Sequence, residues 1–185
     1  GVRSLRELMP VARILTSTPE QTPIDGAEPC RAGQAWEWDG VRFQMLHPPP
    51  TGFSGDDASC VLKVEGAAGR VLLPGDIETA AETVLATTHG AGLMAEILVA
   101  PHHGHRNLST PQFLDAVQPR YVLFSTGYRN RFGYPRSETV ARYQATGAAL
   151  LNASDEGALT FRLEPGQPLA PERYRREHRH YWTAP

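Results

Sequence analysis

Lysine is almost absent from this chain. Lys63 is the single one, and every other basic side chain is Arg. Any group that grips a phosphate here is therefore a planar guanidinium able to bond in two places, rather than a point charge. Cysteine is nearly as scarce. Cys30 and Cys60 lack the C-x-x-C spacing of a zinc knuckle. They read as two unpaired thiols, one in a loop and one buried in a strand, although an oxidising compartment would allow them to pair. No run of 18 apolar residues occurs, which excludes an apolar membrane-spanning helix, and no signal-like start is present. The net charge of -2 gives no global attraction to nucleic acid. There is no internal repeat of the solenoid kind. An initiating Met is missing too, so the chain reads as a fragment of something longer.

What remains is ordinary globular material. The 185 residues, 41% hydrophobic and 21% charged, suit one domain with a sizeable core. Leu5, Leu8 and Met9 have helical spacing up to Pro10. Residues 11–16 read as a short strand and 19–33 as a polar loop. Residues 34–47 alternate around Asp39-Gly40 as a hairpin, and 59–65 with 70–73 form a second. Then come a helix over 77–87, with Ile77, Ala81, Val84 and Leu85 on its buried face and Glu78 and Glu82 favouring its dipole, and a strand over 96–100. A helix capped by Ser109 or Thr110 follows, with Phe113, Leu114 and Val117 inward. After it come a strand over 120–125, a helix over 137–146 capped by Ser137, and closing strands over 149–151 and 158–163. Hairpins followed by helix–strand alternation predict an α/β domain over 1–164 with sheets faced by helices. Residues 165–185 read as a basic and aromatic tail, either solvated or tracking a phosphate backbone.

The chemistry concentrates in Ala100-Pro-His-His-Gly-His-Arg106, at the end of a buried strand. Such strand ends are where open α/β sheets bind ligands, and histidine is the commonest metal ligand. Upstream, Arg70-Val-Leu-Leu-Pro-Gly-Asp76 repeats the pattern with one carboxylate. Asp76 alone reads as a turn former or helix cap. Together with His102 and His103 it gives a carboxylate–imidazole set suited to Zn or Mn. Two such ions would clamp a phosphodiester, with Asp76 bridging them. His102 and His103 are adjacent and reach one site only if the chain turns there, which Gly104 permits. One is read as a ligand and the other as orienting a phosphate or stabilising a leaving group. Asp56, Asp57 and Ser59 precede a strand as a turn or as a functional group. Arg106, Asn107 and Ser109 stand before a helix N-terminus, a ready anion site. Arg129-Asn130-Arg131-Phe132-Gly133-Tyr134 is read as a substrate-phosphate loop. His47 and His89 are read as structural.

These stretches, namely Leu73-Pro-Gly-Asp-Ile-Glu78, Ala100-Pro-His-His-Gly104, Asn130-Arg-Phe-Gly-Tyr-Pro135 and Asp155-Glu-Gly-Ala158, together resemble the C-terminal metallo-β-lactamase-like domain of the ComEC/Rec2 DNA-uptake proteins. The resemblance implies a metallo-β-lactamase-like αββα sandwich, here partial, and a metal-dependent hydrolase using two divalent ions, Mn or Zn. It implies catalytic and metal-binding roles for Asp76, His102 and His103, with His102 first among the two histidines. Asp57, Ser59, Arg106, Ser109, Asn130, Arg131 and Tyr134 are the expected substrate contacts. The family's His-x-His-x-Asp-His loop is absent from this chain, so the fragment itself is expected to bind metal weakly or not at all and to be inactive. Gly104-His105 replaces the usual Gly-Ser, and Tyr134 stands where histidine is common.

The function implied is a deoxyribonuclease that degrades the non-imported strand during natural transformation, on the periplasmic side of a bacterial inner-membrane protein. Its partners would be the incoming DNA, the membrane channel domain of the same polypeptide and other DNA-uptake proteins. The alternatives are a metal-free DNA-guiding module and a hydrolase of another phosphodiester or ester.

Overall fold

The computed structural model describes residues 2–18 and 24–178. The chain opens with α1 (Val2–Leu8) and β1 (Ile14–Thr16). Inside the expected 19–33 loop lies β2 (Ala27–Pro29), which pairs parallel with β1. The hairpin β3 (Ala35–Trp38) and β4 (Val41–His47) turns at Asp39-Gly40 as its alternation predicts. Next come β5 (Val61–Gly66), β6 (Gly69–Leu73), α2 (Thr79–His89), β7 (Ile97–Val99), α3 (Pro111–Val117), β8 (Tyr121–Phe124), α4 (Ser137–Ala145) and β9 (Ala149–Asn152).

β3 to β9 form one seven-stranded sheet in chain order. It is antiparallel from β3 to β6 and parallel from β6 to β9. The tight turns between β3 and β4 and between β5 and β6 force antiparallel pairing there, and the helical connections of the second half return each strand parallel. Leu98 and Val122 point to one face, where Ala81 and Leu85 of α2, Phe113, Leu114 and Val117 of α3, and Tyr143 of α4 close the main core. Ile97 and Tyr121 point to the other face, against Leu159, Phe161, Leu163 and Leu169. This period-two division is the expected signature of a sheet buried on both sides. The class is the expected mixed α/β. The second face is packed not by another strand of this sheet but by β10 (Leu159–Phe161) paired with β11 (Pro171–Arg173), after the short α5 (Ala153–Glu156) and before α6 (Tyr174–Glu177).

Several expectations are corrected. Val84 is 40% exposed, and Glu82 takes its place on the buried face of α2. Of the two caps expected for α3, Thr110 takes the role as foreseen, whereas Arg136 rather than Ser137 occupies the cap position of α4. The described part of 165–185 is packed onto the body: Leu169 is buried, and Arg173 and Arg176 pair with the buried Glu156. Arg179, His180, Tyr181 and Trp182 lie outside the described residues.

Cys30 and Cys60 are not free thiols. They form a disulfide with a Cα–Cα distance of 5.9 Å. Bonding of Cys30 N–H to the Thr16 carbonyl brings the loop thiol under the start of β5, a juxtaposition no spacing rule shows. The bridge closes a loop of sequence separation 30, which constrains the unfolded chain. Reduction, or Cys60→Ser, is expected to lower unfolding stability by about 3 kcal/mol. Denaturant melts with and without reductant check this.

Candidate metal and active site

Sheet topology gathers the chemistry. Because β6, β7 and β8 run parallel, their C-terminal ends share one rim, and β5, antiparallel to β6, starts at that same rim. Residues 56–59, 76–78, 102–105 and 125–134 therefore converge from four separate stretches of sequence. The rim is cross-tied. The His102 amide donates to the Gly75 carbonyl at 3.1 Å, and the Asp76 amide donates to Ser59 Oγ at 3.2 Å. The Arg136 amide donates to the Gly104 carbonyl at 3.0 Å.

The histidine loop is a tight turn over Pro101–Gly104. The reversal does not rest on Gly104 alone: His102 (φ 45°) and His103 (φ 57°) are themselves left-handed. That conformation costs a non-glycine residue on the order of 1 kcal/mol and is held by its surroundings. Gly104 has a separate task. A β-carbon there would lie 2.7 Å from Pro135 Cβ and 3.0 Å from the Phe124 ring, so only glycine lets the two loops close on each other.

The turn splits the two imidazoles between two carboxylate groups. His103 Nε2 lies 3.9 Å from Asp76 Oδ1. Its Nδ1 lies 3.0 Å from the Ser125 carbonyl, which can only accept, so Nδ1 holds a proton and Nε2 faces Asp76. His102 Nδ1 lies 3.9 Å from Asp56 Oδ2, is cut off from solvent and has no hydrogen-bond partner. Asp56, Glu78 and His102 each bring one ligand atom within 4.8 Å of the others. Two carboxylates and an imidazole, one of its nitrogens unsatisfied, are a donor set suited to a divalent cation.

The other expected residues divide. Ser59 supports Asp76, and Tyr134 sits beside all three rings, with centroids 6.1, 6.4 and 5.7 Å from those of His102, His103 and His105. Arg131 is exposed on the loop above the site. Asp57 is committed: its Oδ1 accepts the amides of Glu78 at 2.7 Å and Ala81 at 3.2 Å, capping α2 from across the rim. Asn130 is committed as well, clasping its own loop through the Tyr134 amide and carbonyl. Arg106 points outward to Glu138 at 3.3 Å. Ser109 does not reach the rim; it is fully buried, with its hydroxyl 2.6 Å from Tyr143 Oη.

Besides Asp56, which the sequence already offered as a functional group, three residues carry more than sequence reading gave them. Asp56 and Glu78 join His102, a grouping set by the cross-sheet approach of two loops. His47 is 1% exposed, with Nε2 2.6 Å from the Asp57 carbonyl; burial pushes its pKa below the ordinary histidine value, against the pull of that carbonyl. Glu82 is wholly buried and accepts the amides of Ser109 at 2.5 Å and Thr110 at 2.8 Å. Burial holds its carboxyl above the usual range, while those amides and Arg142 pull it down.

No family model matches the chain. It is 37% identical over 159 residues to Competence protein ComA of Neisseria gonorrhoeae, a match covering 85% of this chain and 23% of that protein. Recombination protein 2 of Haemophilus influenzae is 27% identical over 158 residues, covering 85% of this chain and 20% of that protein. ComE operon protein 3 of Bacillus subtilis is 24% identical over 138 residues, covering 74% and 18%. The chain is homologous to the ComEC/Rec2 competence proteins. It spans about a fifth of the length of these ComEC/Rec2 relatives. Among solved structures, a variant of CmlA β-hydroxylase superposes with a TM-score of 0.51 at 10% identity, over 80% of this chain and 39% of that one. A Thermotoga maritima protein assigned as a Zn-dependent hydrolase of the metallo-β-lactamase superfamily superposes with a TM-score of 0.41 at 11% identity, over 77% and 84%. The mixed α/β fold is shared with the CmlA β-hydroxylase chain, and the rim described above lies at the strand ends of its sheet. Among the described residues no helix is long and apolar enough to cross a membrane.

Proposed function

We propose that this chain is the metal-dependent phosphodiesterase part of a DNA-uptake protein, acting on the DNA strand that is not imported. The observation that carries the reading is the convergence of Asp76 with His103, and of Asp56 and Glu78 with His102, on one rim of a chain homologous to competence proteins. The buried, unpartnered Nδ1 of His102 fits a cation as its missing partner.

Asp56, Glu78 and His102 would hold one divalent ion, Mn or Zn, and Asp76 with His103 would face a second. Bound there, such ions supply charge neutralisation of a phosphodiester and an activated water. The protein's own contribution is positional. Ser125 fixes the His103 ring through Nδ1, leaving Nε2 aimed inward. Ser59 and the Gly75 carbonyl lock the two strand ends together. Tyr134 forms one wall of the site, and Arg131 stands where a flanking phosphate would pass. With Nδ1 held by Ser125, the Nε2 lone pair of His103 is the one free to meet the ion beside Asp76. Contact with the incoming DNA, with a membrane channel domain of the same polypeptide and with other DNA-uptake proteins follows from this reading. So does a position on the periplasmic face of the inner membrane, which the Cys30–Cys60 disulfide supports because such bonds persist in oxidising compartments.

Calorimetric titration with Mn²⁺ and Zn²⁺, in a polypeptide that includes the His-x-His-x-Asp-His loop, tests the site. His102→Ala and Asp56→Ala are each expected to weaken binding at least tenfold, about 1.4 kcal/mol. Metal binding that neither variant alters would leave the metal-free DNA-guiding alternative standing in its place.

A further inference from the structure

The loop between β8 and α4, which brings Tyr134 and Arg131 to the rim, carries a wider arrangement of rings and arginines than the metal site needs. Residues 127–136 contain Arg129, Arg131 and Arg136 and no acidic side chain. Neither Arg129 nor Arg131 has an acidic partner among the described residues; each lies instead over a ring, Arg129 5.2 Å from the Tyr128 centroid and Arg131 4.8 Å from that of Phe132. The rings themselves form a series. His103 and Tyr134 are near-parallel, at 22° with centroids 6.4 Å apart, and Tyr134 and Phe132 are near-parallel, at 15° and 5.7 Å. The series leads from the imidazole beside Asp76 outward to Phe132, which is 52% exposed; Tyr128, on the same loop, is 69% exposed.

Large aromatic rings are not left in water on a loop for stability's sake, and an acid-free group of arginines around them selects a ligand that is flat and flanked by negative charge. Beside the rings lies a cavity of about 200 Å³, lined mainly by apolar carbon between Thr126, Asn130, Phe132, Tyr134 and His103. Two of its polar side chains are already engaged. Thr126 donates to Asn152, and the Asn130 amide group spans its own loop. A base entering there meets ring faces and few free hydrogen-bonding groups.

We propose that residues 128–136 are a stacking platform for single-stranded DNA. Unpaired bases lie against Phe132 and Tyr134, Arg129 and Arg131 take the flanking phosphates, and the strand is led to the Asp76–His103 rim without regard to sequence. Duplex DNA, whose bases are already stacked on one another, gains only the phosphate contacts. The proposal rests on the DNA-directed reading above, but it needs no metal.

Binding in EDTA tests it separately from hydrolysis, by fluorescence anisotropy of a labelled oligothymidylate of about ten nucleotides and of a duplex of equal length. Phe132→Ala is expected to weaken single-strand binding about tenfold, with Phe132→Trp restoring it and Phe132→Leu failing to, while duplex binding stays unchanged. Arg129→Ala/Arg131→Ala is expected to flatten the dependence of log K on log salt. Equal losses for duplex and single strand, an unaffected Phe132→Ala, or no binding of the oligonucleotide by the unaltered chain would each overturn the platform. None of these outcomes bears on metal-dependent cleavage, and a failure of cleavage leaves the binding result intact.

Discussion

Asp76→Ala is expected to reduce metal-dependent cleavage of linear DNA on the order of a thousandfold, measured in a polypeptide that includes the His-x-His-x-Asp-His loop. That loss corresponds to about 4 kcal/mol of transition-state stabilisation. Asp76 is the one carboxylate at the end of β6, its side chain half-buried and 3.9 Å from His103 Nε2. The Asp76 amide and its neighbour's carbonyl are both spent on cross-ties to Ser59 and His102, so the backbone keeps its place when the side chain is cut back. The effect should therefore fall on the chemistry rather than on the fold, and the near-UV circular dichroism of the variant should match that of the parent. Asp76→Asn should be almost as damaging, because it keeps the shape and loses the charge that a divalent cation requires. Unchanged cleavage in either variant would remove Asp76 from the site and, with it, the reading of this rim as a hydrolase centre.

Strand ends were legible because the apolar runs 70–73 and 96–100 stop at Pro-Gly and Pro, and each break is followed by polar side chains. Parallel pairing of those runs then brings Asp76 and the histidines to one edge without further information. What could not be read is which histidine faces which carboxylate. That depends on two consecutive left-handed residues, and propensity alone disfavours them at histidine. The roles of Asp57 and Asn130 were hidden for another reason. A carboxylate or amide that caps a neighbouring helix or clasps its own loop looks, in one dimension, like one offered to a ligand. Val84 and Glu82 show the limit of periodicity. Both fit a helix face, and the one that turns inward is decided by two amides arriving from residues 109 and 110. The disulfide was unreadable because it depends on β2, a strand of three residues inside a stretch that reads as polar loop.

Glu82 leads to the second large effect. The segment that leaves the histidine turn is held from behind by four groups: Glu82 on the Ser109 and Thr110 amides, Thr139 Oγ1 on the His105 carbonyl at 2.7 Å, Arg142 on the Leu108 carbonyl at 2.7 Å, and Tyr143 on Ser109. Ser109 is left-handed, with φ 63°, so the segment has a strained corner that these bonds must secure. Glu82→Ala would leave two buried amides without an acceptor, at about 1–3 kcal/mol each. It is expected to lower unfolding stability by about 4 kcal/mol in total, measured by urea denaturation. Glu82→Gln keeps one acceptor and should cost about half as much. The pH dependence separates the two causes. Because burial raises the carboxyl's pKa in the folded state, the folded chain holds that proton to higher pH than the unfolded chain does. The corresponding stability is complete below the unfolded value and falls as pH rises through the folded one. Glu82→Gln, having no proton to lose, should lack that fall. If the variant keeps the parent's slope, the burial of this carboxyl does not set the pH dependence, and the support of the histidine turn rests on Thr139, Arg142 and Tyr143.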